Sequence, residues 1–422
     1  MVNIWKKVIK SEFTKNVTVQ VLGTGIAQAL PFLATPLLTR LFNEEDFAVY
    51  TSFFAIVSIF AVAVGGKYHL AILLPEEEEE ANKVFILSIY LTLAYALAIA
   101  LLFPLFHHFF PENLNMVLNY VPVYVLFFGL WSSYINVSIR HKRFVANAVS
   151  KVLQAISYIL VAIVLGFSKI LTYGLVLAKI LGTVSSWIFL SKKSTIKFKF
   201  NNFKRLKNVA LKYIDYPKYG IWPAFLNTLS LQALILILTK FYSTENLGYY
   251  GLTYLVLSAP ISLIGTSFKD VFYQRMVVLT NQKDQSGQAL LFFRKSALAL
   301  FIMGIPICLI LFLFGEPLFA FIFGNKWGRS GEFAGILAFS FLVKLTVSPL
   351  SSVFNATNTL RIASKWQVLY FISTFAILGY CASILKLPIE QLLEVYVIQE
   401  IILYGIYFVM QHNTIRTYRK YT

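Results

Sequence analysis

Three lysines stand inside stretches that are otherwise apolar for the width of a bilayer: Lys151, Lys179 and Lys344. A cation in such a place is costly and defaults to a functional role with a partner to be found. Each has polar company at helical spacing. Asn147, Lys151, Gln154 and Tyr158 form one stripe, Thr172, Lys179, Thr183 and Ser186 a second, and Ser340, Lys344, Ser348, Ser351 and Asn355 a third. Gln20, Thr24, Gln28 and Thr35 form an uncharged fourth. Residues three and four apart share a helix face, so each stripe faces another helix or water rather than lipid. The hydroxyl-only positions are expected to act as helix–helix glue. The lysines point instead to a water-filled cationic cavity. An ammonium is a compact point charge that suits phosphate. Lys151 lies near one membrane edge and can alternatively snorkel there, whereas Lys179 and Lys344 lie near mid-membrane, where snorkelling reaches poorly. Asn147, Gln154 and Gln28 are the uncharged candidate substrate contacts. Glu394 and Glu400 share the last apolar stretch on different helix faces. Either is expected to pair with a lysine across helices, the alternative being a coupling proton.

The elements that must position these groups are membrane helices. The 422-residue chain is 58% hydrophobic and only 13% charged, with a mean hydropathy of +0.70. A hydrocarbon core of roughly 30 Å takes about 20 helical residues to cross. Lipid offers the backbone no hydrogen bonds, so each crossing must satisfy its own as a helix. Twelve spans follow, at 17–40, 47–66, 84–106, 114–138, 144–166, 170–191, 219–241, 246–267, 289–314, 332–355, 363–385 and 389–410. Pro31, Pro36, Pro223, Pro260, Pro306 and Pro349 interrupt them and are candidate kinks. Two connections are long, a basic linker at 192–218 and a polar stretch at 268–288.

Lys and Arg set the orientation. With the N-terminus inside, most of the 37 fall in cytoplasmic segments, and only Arg40, Lys169, Lys240, Lys326, Arg329 and Lys386 fall on the opposite side. Both termini are therefore expected in the cytoplasm, together with the acidic run Glu76–Glu80, read as a solvated loop. The net charge of +18 belongs to this bias and not to nucleic-acid binding. Trp5 with its neighbouring lysines reads as a short interfacial helix. Cys308 and Cys381 lie in apolar spans as small hydrophobes. His107 and His108 lack metal-ligand spacing, and no metal or cofactor is expected.

The chain also repeats. Thr39–Tyr50 reads TRLFNEEDFAVY and Thr239–Tyr250 reads TKFYSTENLGYY, with Thr, Glu and Tyr identical at matched positions. Both segments join the first and second spans of a six-span half, so the halves form a parallel repeat about an axis along the membrane normal. The expected fold is all-α, with about 12 transmembrane helices in two lobes: 1–191, a basic linker 192–218, a second lobe 219–411 and a tail 412–422. Arg40 and Lys240 then mark a candidate outer gate, with capping of their own helix ends the preferred role.

Twelve spans in two parallel lobes resemble the multidrug/oligosaccharidyl-lipid/polysaccharide exporter superfamily. Asn16–Leu22 (NVTVQVL), Pro36–Phe42 (PLLTRLF), Glu44–Tyr50 (EEDFAVY) and Tyr68–Ala81 (YHLAILLPEEEEEA) look like its polysaccharide flippases. The resemblance implies a Wzx-type flippase of the bacterial inner membrane and not an enzyme. Such a protein carries an undecaprenyl-pyrophosphate-linked oligosaccharide, as in O-antigen synthesis, from the cytoplasmic to the outer leaflet by alternating access of the two lobes. Membrane lipids and the polysaccharide polymerase and chain-length machinery are the implied partners, and H+ or Na+ the implied coupling ion. Two alternatives stay open. A drug antiporter of the same fold would export cations and calls for acidic groups in its spans. A glycan polymerase or ligase calls for a large outward loop, and the longest is 315–331.

Overall fold

The computed structural model describes residues 12–104, 112–168, 173–194, 196, 203–281 and 286–418. Among them the chain is helical, with no strand. Eleven helices are long and apolar enough to cross a membrane, and a twelfth span forms if one bent pair is counted as one. Large apolar side chains cover their outer faces, with Phe321 84%, Leu33 70% and Leu101 69% exposed. That surface is stable in lipid and not in water.

Two compact units divide the chain, Met1–Lys240 and Phe241–Thr422. The first holds α1 (Glu12–Leu41), α2 (Glu44–Ala61), α3 (Tyr68–Ala71), α4 (Glu78–Leu102), α5 (Glu112–Leu118), α6 (Val121–Arg140), α7 (Phe144–Ser168), α8 (Gly174–Lys193), α9 (Phe203–Lys212) and α10 (Asp215–Phe241). The last residue of α10 opens the second unit. Reading from sequence puts residues 219–240 with the second lobe, yet Thr239 Oγ1 bonds Ser52 Oγ of α2 at 3.0 Å. Leu236 packs on an apolar core drawn from α2, α4, α5, α6 and α8.

Small residues let the helices of this unit close on one another. A Cβ on Gly23 of α1 would stand 2.3 Å from Ala148 Cβ of α7, and one on Gly182 of α8 would stand 2.7 Å from the Gln154 carbonyl of α7. Hydroxyls then fasten the seams, with Ser186 Oγ donating to the Ser150 carbonyl at 2.8 Å and Ser185 donating to Ser157 at 3.0 Å. This is the small-residue and hydroxyl packing that membranes favour.

The second span is not continuous. It breaks after α2, where Gly65, Gly66 and Lys67 take positive φ of 56°, 55° and 59°, and the chain resumes 47° away. Two consecutive glycines make the left-handed turn inexpensive. The acidic run is largely helical rather than a loop: Glu78, Glu79 and Glu80 occupy the first turn of α4, where the helix dipole favours them. Glu78 pairs with Arg140 at 3.0 Å, whose guanidinium also bonds the Ile72 and Pro75 carbonyls. Glu80 accepts from Lys212 at 2.5 Å and from Tyr213 at 3.0 Å. The linker therefore contains a helix, α9, whose Leu206 and Val209 enter the core of the first unit. The bond to Glu80 raises the Lys212 ammonium above its ordinary value. Its contribution to docking is fully present below the ordinary lysine value and is lost as pH rises through the raised one.

The second unit holds α11 (Thr244–Asn281), α12 (Ser286–Phe323), α13 (Gly328–Val347), α14 (Val353–Ala356), α15 (Leu360–Ser383) and α16 (Ile389–Thr417). The polar stretch expected as a connection from 268 continues α11 as helix to Asn281. The expected outer loop at 315–331 is mainly helix as well. α12 kinks at Phe314, whose φ is −129°. Pro317 lacks the N–H that would bond Leu313, which accounts for the bend. Beyond it Gly315 and Gly331 pack backbone to backbone: a Cβ on Gly331 would stand 2.1 Å from the Gly315 carbonyl oxygen.

The sequence repeat has matching geometry. α1 ends at Leu41 and α2 opens at Glu44; α10 ends at Phe241 and α11 opens at Thr244. Asn43 caps α2 by accepting from Asp46 N at 2.9 Å, and Ser243 Oγ accepts from Asn246 N at 3.3 Å. Tyr50 stacks on Phe54 at 6.2 Å and Tyr250 on Tyr254 at 6.1 Å. The interfacial helix expected before Glu12 and the His107–His108 pair lie outside the described residues.

Gly129 of α6 offers a direct test of this packing. A Cβ there would stand 2.5 Å from Thr92 Cγ2 of α4, whereas one on Gly379 meets nothing within 4 Å. Gly129→Ala is expected to destabilise the protein by about 1–3 kcal/mol, and Gly379→Ala to leave it unchanged or slightly more stable. Thermal unfolding of the two purified variants in detergent measures both.

Candidate functional site

The three lysines meet three different fates. Lys151, on α7, donates from Nζ to Thr24 Oγ1 of α1 at 2.9 Å. It bridges two helices that Gly23 already draws together, and its charge has no carboxylate partner among the described residues.

Lys344 lies within the apolar span Asn325–Ala356, in the last turn of α13 before a 3-10 turn at Ser348–Ser352 opened by Pro349. Its Nζ stands 2.9 Å from Glu400 Oε2 of α16 and donates to Tyr396 Oη at 2.6 Å. Glu400 is fully buried, while the Lys344 side chain remains 18% exposed. Tyr370 of α15 donates to Glu400 Oε1 at 2.5 Å. The cation is thus neutralised inside the second unit. Of the two acidic residues expected to pair with a lysine, Glu400 does so, and Glu394 sits exposed on α16.

Lys179 is the contrast. It stands in the second turn of α8, partly buried and closer to one helix end than the sequence reading places it. Its Nζ lies over the rings of Phe54 and Tyr158, 5.5 and 5.9 Å from their centroids. Among the described residues no carboxylate pairs with it and no acceptor bonds its N–H groups. Tyr50 stacks on Tyr158 at 6.2 Å and on Phe54 at the same distance, so three rings of α2 and α7 form one side of the cradle. Gln154 does not point a free amide at a substrate. It donates to Thr183 Oγ1 at 3.0 Å, and Thr183 donates to the Lys179 carbonyl at 3.0 Å. That chain fixes the turn carrying Lys179. Thr172, expected on the same stripe, lies outside the described residues.

The remaining candidates disperse. Asn147 is fully buried, with neither amide atom bonded to a described residue. Gln28 is partly buried on α1. Arg40 donates to the Pro36 carbonyl at 2.9 Å and closes the end of its own helix; Lys240 is exposed. Sequence reasoning missed the aromatic cradle. Tyr50 stands in the repeat and Tyr158 on a polar stripe, but 39 Phe and 24 Tyr hide any signal carried by single rings. Among the described residues no cluster of His, Cys, Asp or Glu has the makings of a metal site.

Comparison with known proteins bears on this arrangement. Residues 37–332 match the family described as polysaccharide biosynthesis protein. No curated protein matches the sequence significantly. An inward-facing multidrug resistance MATE family transporter of the MOP superfamily is similar over 94% of this chain and 96% of its own, with 15% identity and a TM-score of 0.70. The lipid II flippase MurJ in an inward closed conformation is similar over 93% and 87%, with 13% identity and a TM-score of 0.74. A MOP superfamily transporter from Pyrococcus furiosus, described as having a binding pocket of reverse polarity, is similar over 98% of both chains, with 13% identity and a TM-score of 0.61. These likenesses show the fold that the sequence led one to expect, that of MOP superfamily transporters.

The two buried lysines should respond oppositely to removal. Lys344→Met leaves a buried carboxylate unpaired and is expected to cost about 3–5 kcal/mol, most of it recovered when Glu400→Gln is added. Lys179→Met orphans no carboxylate and is expected to leave stability unchanged or raised. Thermal unfolding of the purified variants in detergent distinguishes the two.

Proposed function

Because this chain belongs to the polysaccharide biosynthesis protein family, we propose that it is a Wzx-type flippase. On this reading it moves an undecaprenyl-pyrophosphate-linked oligosaccharide from the cytoplasmic to the outer leaflet of the bacterial inner membrane, with both termini in the cytoplasm. Alternating access fits a fold shared with transporters and with a lipid II flippase.

The observation that carries the reading is Lys179. An ammonium beneath a bilayer's surface, without a carboxylate, is left with ring faces. A cation–π contact is worth about 0.5–1 kcal/mol when exposed and about 2 when desolvated. An oxyanion offers a stronger, charge-assisted hydrogen bond. The rings thus hold the charge in place without neutralising it, and an arriving phosphate takes it over. This offsets the cost of drawing phosphate out of water. The polyprenyl tail needs no such help and stays in lipid. Gln154 and Thr183 act on the passenger only through Lys179, by holding its backbone turn.

Lys344 and Lys151 take lesser parts in this account. Lys344 is occupied by Glu400 and Lys151 by Thr24. A drug antiporter on the same fold is disfavoured by the same chemistry: a positive cradle repels the cations it would carry. A polymerase or ligase loses its candidate chemical loop, since 315–331 is taken up by helices that pack on one another through Gly315 and Gly331.

A flipping assay with lipid-linked oligosaccharide in reconstituted vesicles tests the proposal. Lys179→Ala, normally expressed and inserted, is expected to lower the rate at least about tenfold, the loss of one charge-assisted contact of about 1.5–3 kcal/mol. Lys179→Arg is expected to retain part of it. Unchanged flipping by Lys179→Ala would sink the assignment.

A further inference from the structure

The linker helix α9 docks by one face and leaves another uncovered. Leu206 and Val209 enter the core of the first unit, Tyr68 Oη donates to the Ala210 carbonyl at 2.8 Å, and Tyr213 donates to Glu80. Helical hydrogen bonding runs on past Lys212: Tyr213 N–H bonds the Val209 carbonyl at 3.2 Å and Ile214 N–H the Leu211 carbonyl at 3.4 Å. Lys207, Leu211 and Ile214 therefore follow i, i+4, i+7 and share a face, turned away from the docking residues. Leu211 is 60% and Ile214 44% exposed, and Lys207 stands exposed one turn before them. Apolar and basic side chains on one uncovered face suit a helix lying in a membrane interface.

The next span sets the depth of that face. α10 opens at Asp215, directly after Ile214, and its 27 residues make a helix of about 40 Å. The hydrocarbon core is only about 30 Å thick, so the first turns of α10 project into the headgroup layer. Tyr219 and Trp222, 62% and 67% exposed, stand in those turns, at the level where amphipathic rings collect. Leu211 and Ile214 thus lie at the boundary between acyl chains and headgroups. The charge at this edge is nearly of one sign. Lys192 and Lys193 end α8, Arg205 and Lys207 are exposed on α9, and the Lys218 ammonium lies 4.9 Å from the Tyr219 ring centroid. None of these five forms an ion pair among the described residues. Nearby, Glu79 is held by Lys83 and Glu80 by Lys212, and between Phe203 and Trp222 the only acid is Asp215. Membrane orientation alone accounts for basic connections. It does not account for an exposed Leu and Ile set among them.

We propose that the Lys207–Leu211–Ile214 face of α9, together with Lys218, is a binding surface for anionic phospholipid. The apolar pair seats at the acyl boundary, and the two ammonium groups reach the headgroup phosphates above it. Each basic group near such a surface favours an anionic over a zwitterionic lipid by about fivefold. Lipid held there adds to the bonds at Glu80 in keeping the linker against α4. The surface belongs to the first unit alone, Lys179 stands near the opposite end of α8, and the inference does not depend on the flippase reading.

Photo-crosslinking in vesicles of equal parts phosphatidylglycerol and phosphatidylcholine, with matched acyl chains, tests this. Leu211→p-benzoylphenylalanine places the photoreactive group on the uncovered face, and intact mass identifies what it captures. Leu97, 61% exposed on α4, takes the same substitution as a reference and is expected to capture both lipids equally. Position 211 is expected to capture phosphatidylglycerol in at least about fivefold excess. Adding Lys207→Gln and Lys218→Gln, both exposed positions, should bring that ratio close to one, and 1 M salt should lower it by screening. Equal capture of the two lipids at position 211, an excess that survives loss of both lysines, an adduct to protein in place of lipid, or no adduct would each overturn the proposal.

Discussion

An ammonium placed among apolar helices must be compensated, and the way each buried lysine meets that demand organises everything else in this protein. Lys344 meets it with a sealed carboxylate and a tyrosine hydroxyl. Lys151 meets it with a hydroxyl across a helix seam. Lys179 meets it with ring faces alone. The first solution makes a neutral centre, the second a bridge, and the third a site with unspent charge. A sheltered charge that no internal group cancels is available to an external anion, and on the flippase reading proposed above that anion is a lipid-linked pyrophosphate.

The fold serves that chemistry through close packing. Gly23, Gly182 and Gly129 let backbones and methyl groups approach where any side chain would collide. α1, α7 and α8 thereby pack closely together, and the Gln154–Thr183 chain fixes the turn of α8 that carries Lys179. The breaks in the helices lie elsewhere. The second span turns through three left-handed residues at Gly65–Lys67, α12 bends at Phe314, and α13 passes into a 3-10 turn directly after Lys344. Close packing around a charge and spans that are already broken suit the alternating-access cycle proposed above.

Much of this was legible in the residues. Span number and position follow from hydrophobic length, because lipid admits nothing else, and the repeat at Thr39 and Thr239 foretold two equivalent helix junctions. Places where polar residues adopt helix were not legible: Glu78–Glu80 and the stretch after Phe268 read as loops by composition, yet the dipole of α4 and the continuation of α11 make them helical. The Gly65–Gly66 pair looked like the end of a span, and the chain instead passes through it in left-handed conformation into α3. Lys179 and Lys344 were indistinguishable in sequence, each a cation on a polar stripe. What separates them is a carboxylate brought from α16 to one and rings brought from α2 and α7 to the other, and tertiary pairing of that kind leaves no local pattern.

A cryo-electron microscopy map of the protein bound to a lipid-linked pyrophosphate oligosaccharide tests the central claim most directly. Phosphate density about 3 Å from Lys179 Nζ, with the ammonium drawn off the rings of Phe54 and Tyr158, is the predicted result. Phosphate density elsewhere, with Lys179 still seated on those rings, would contradict it.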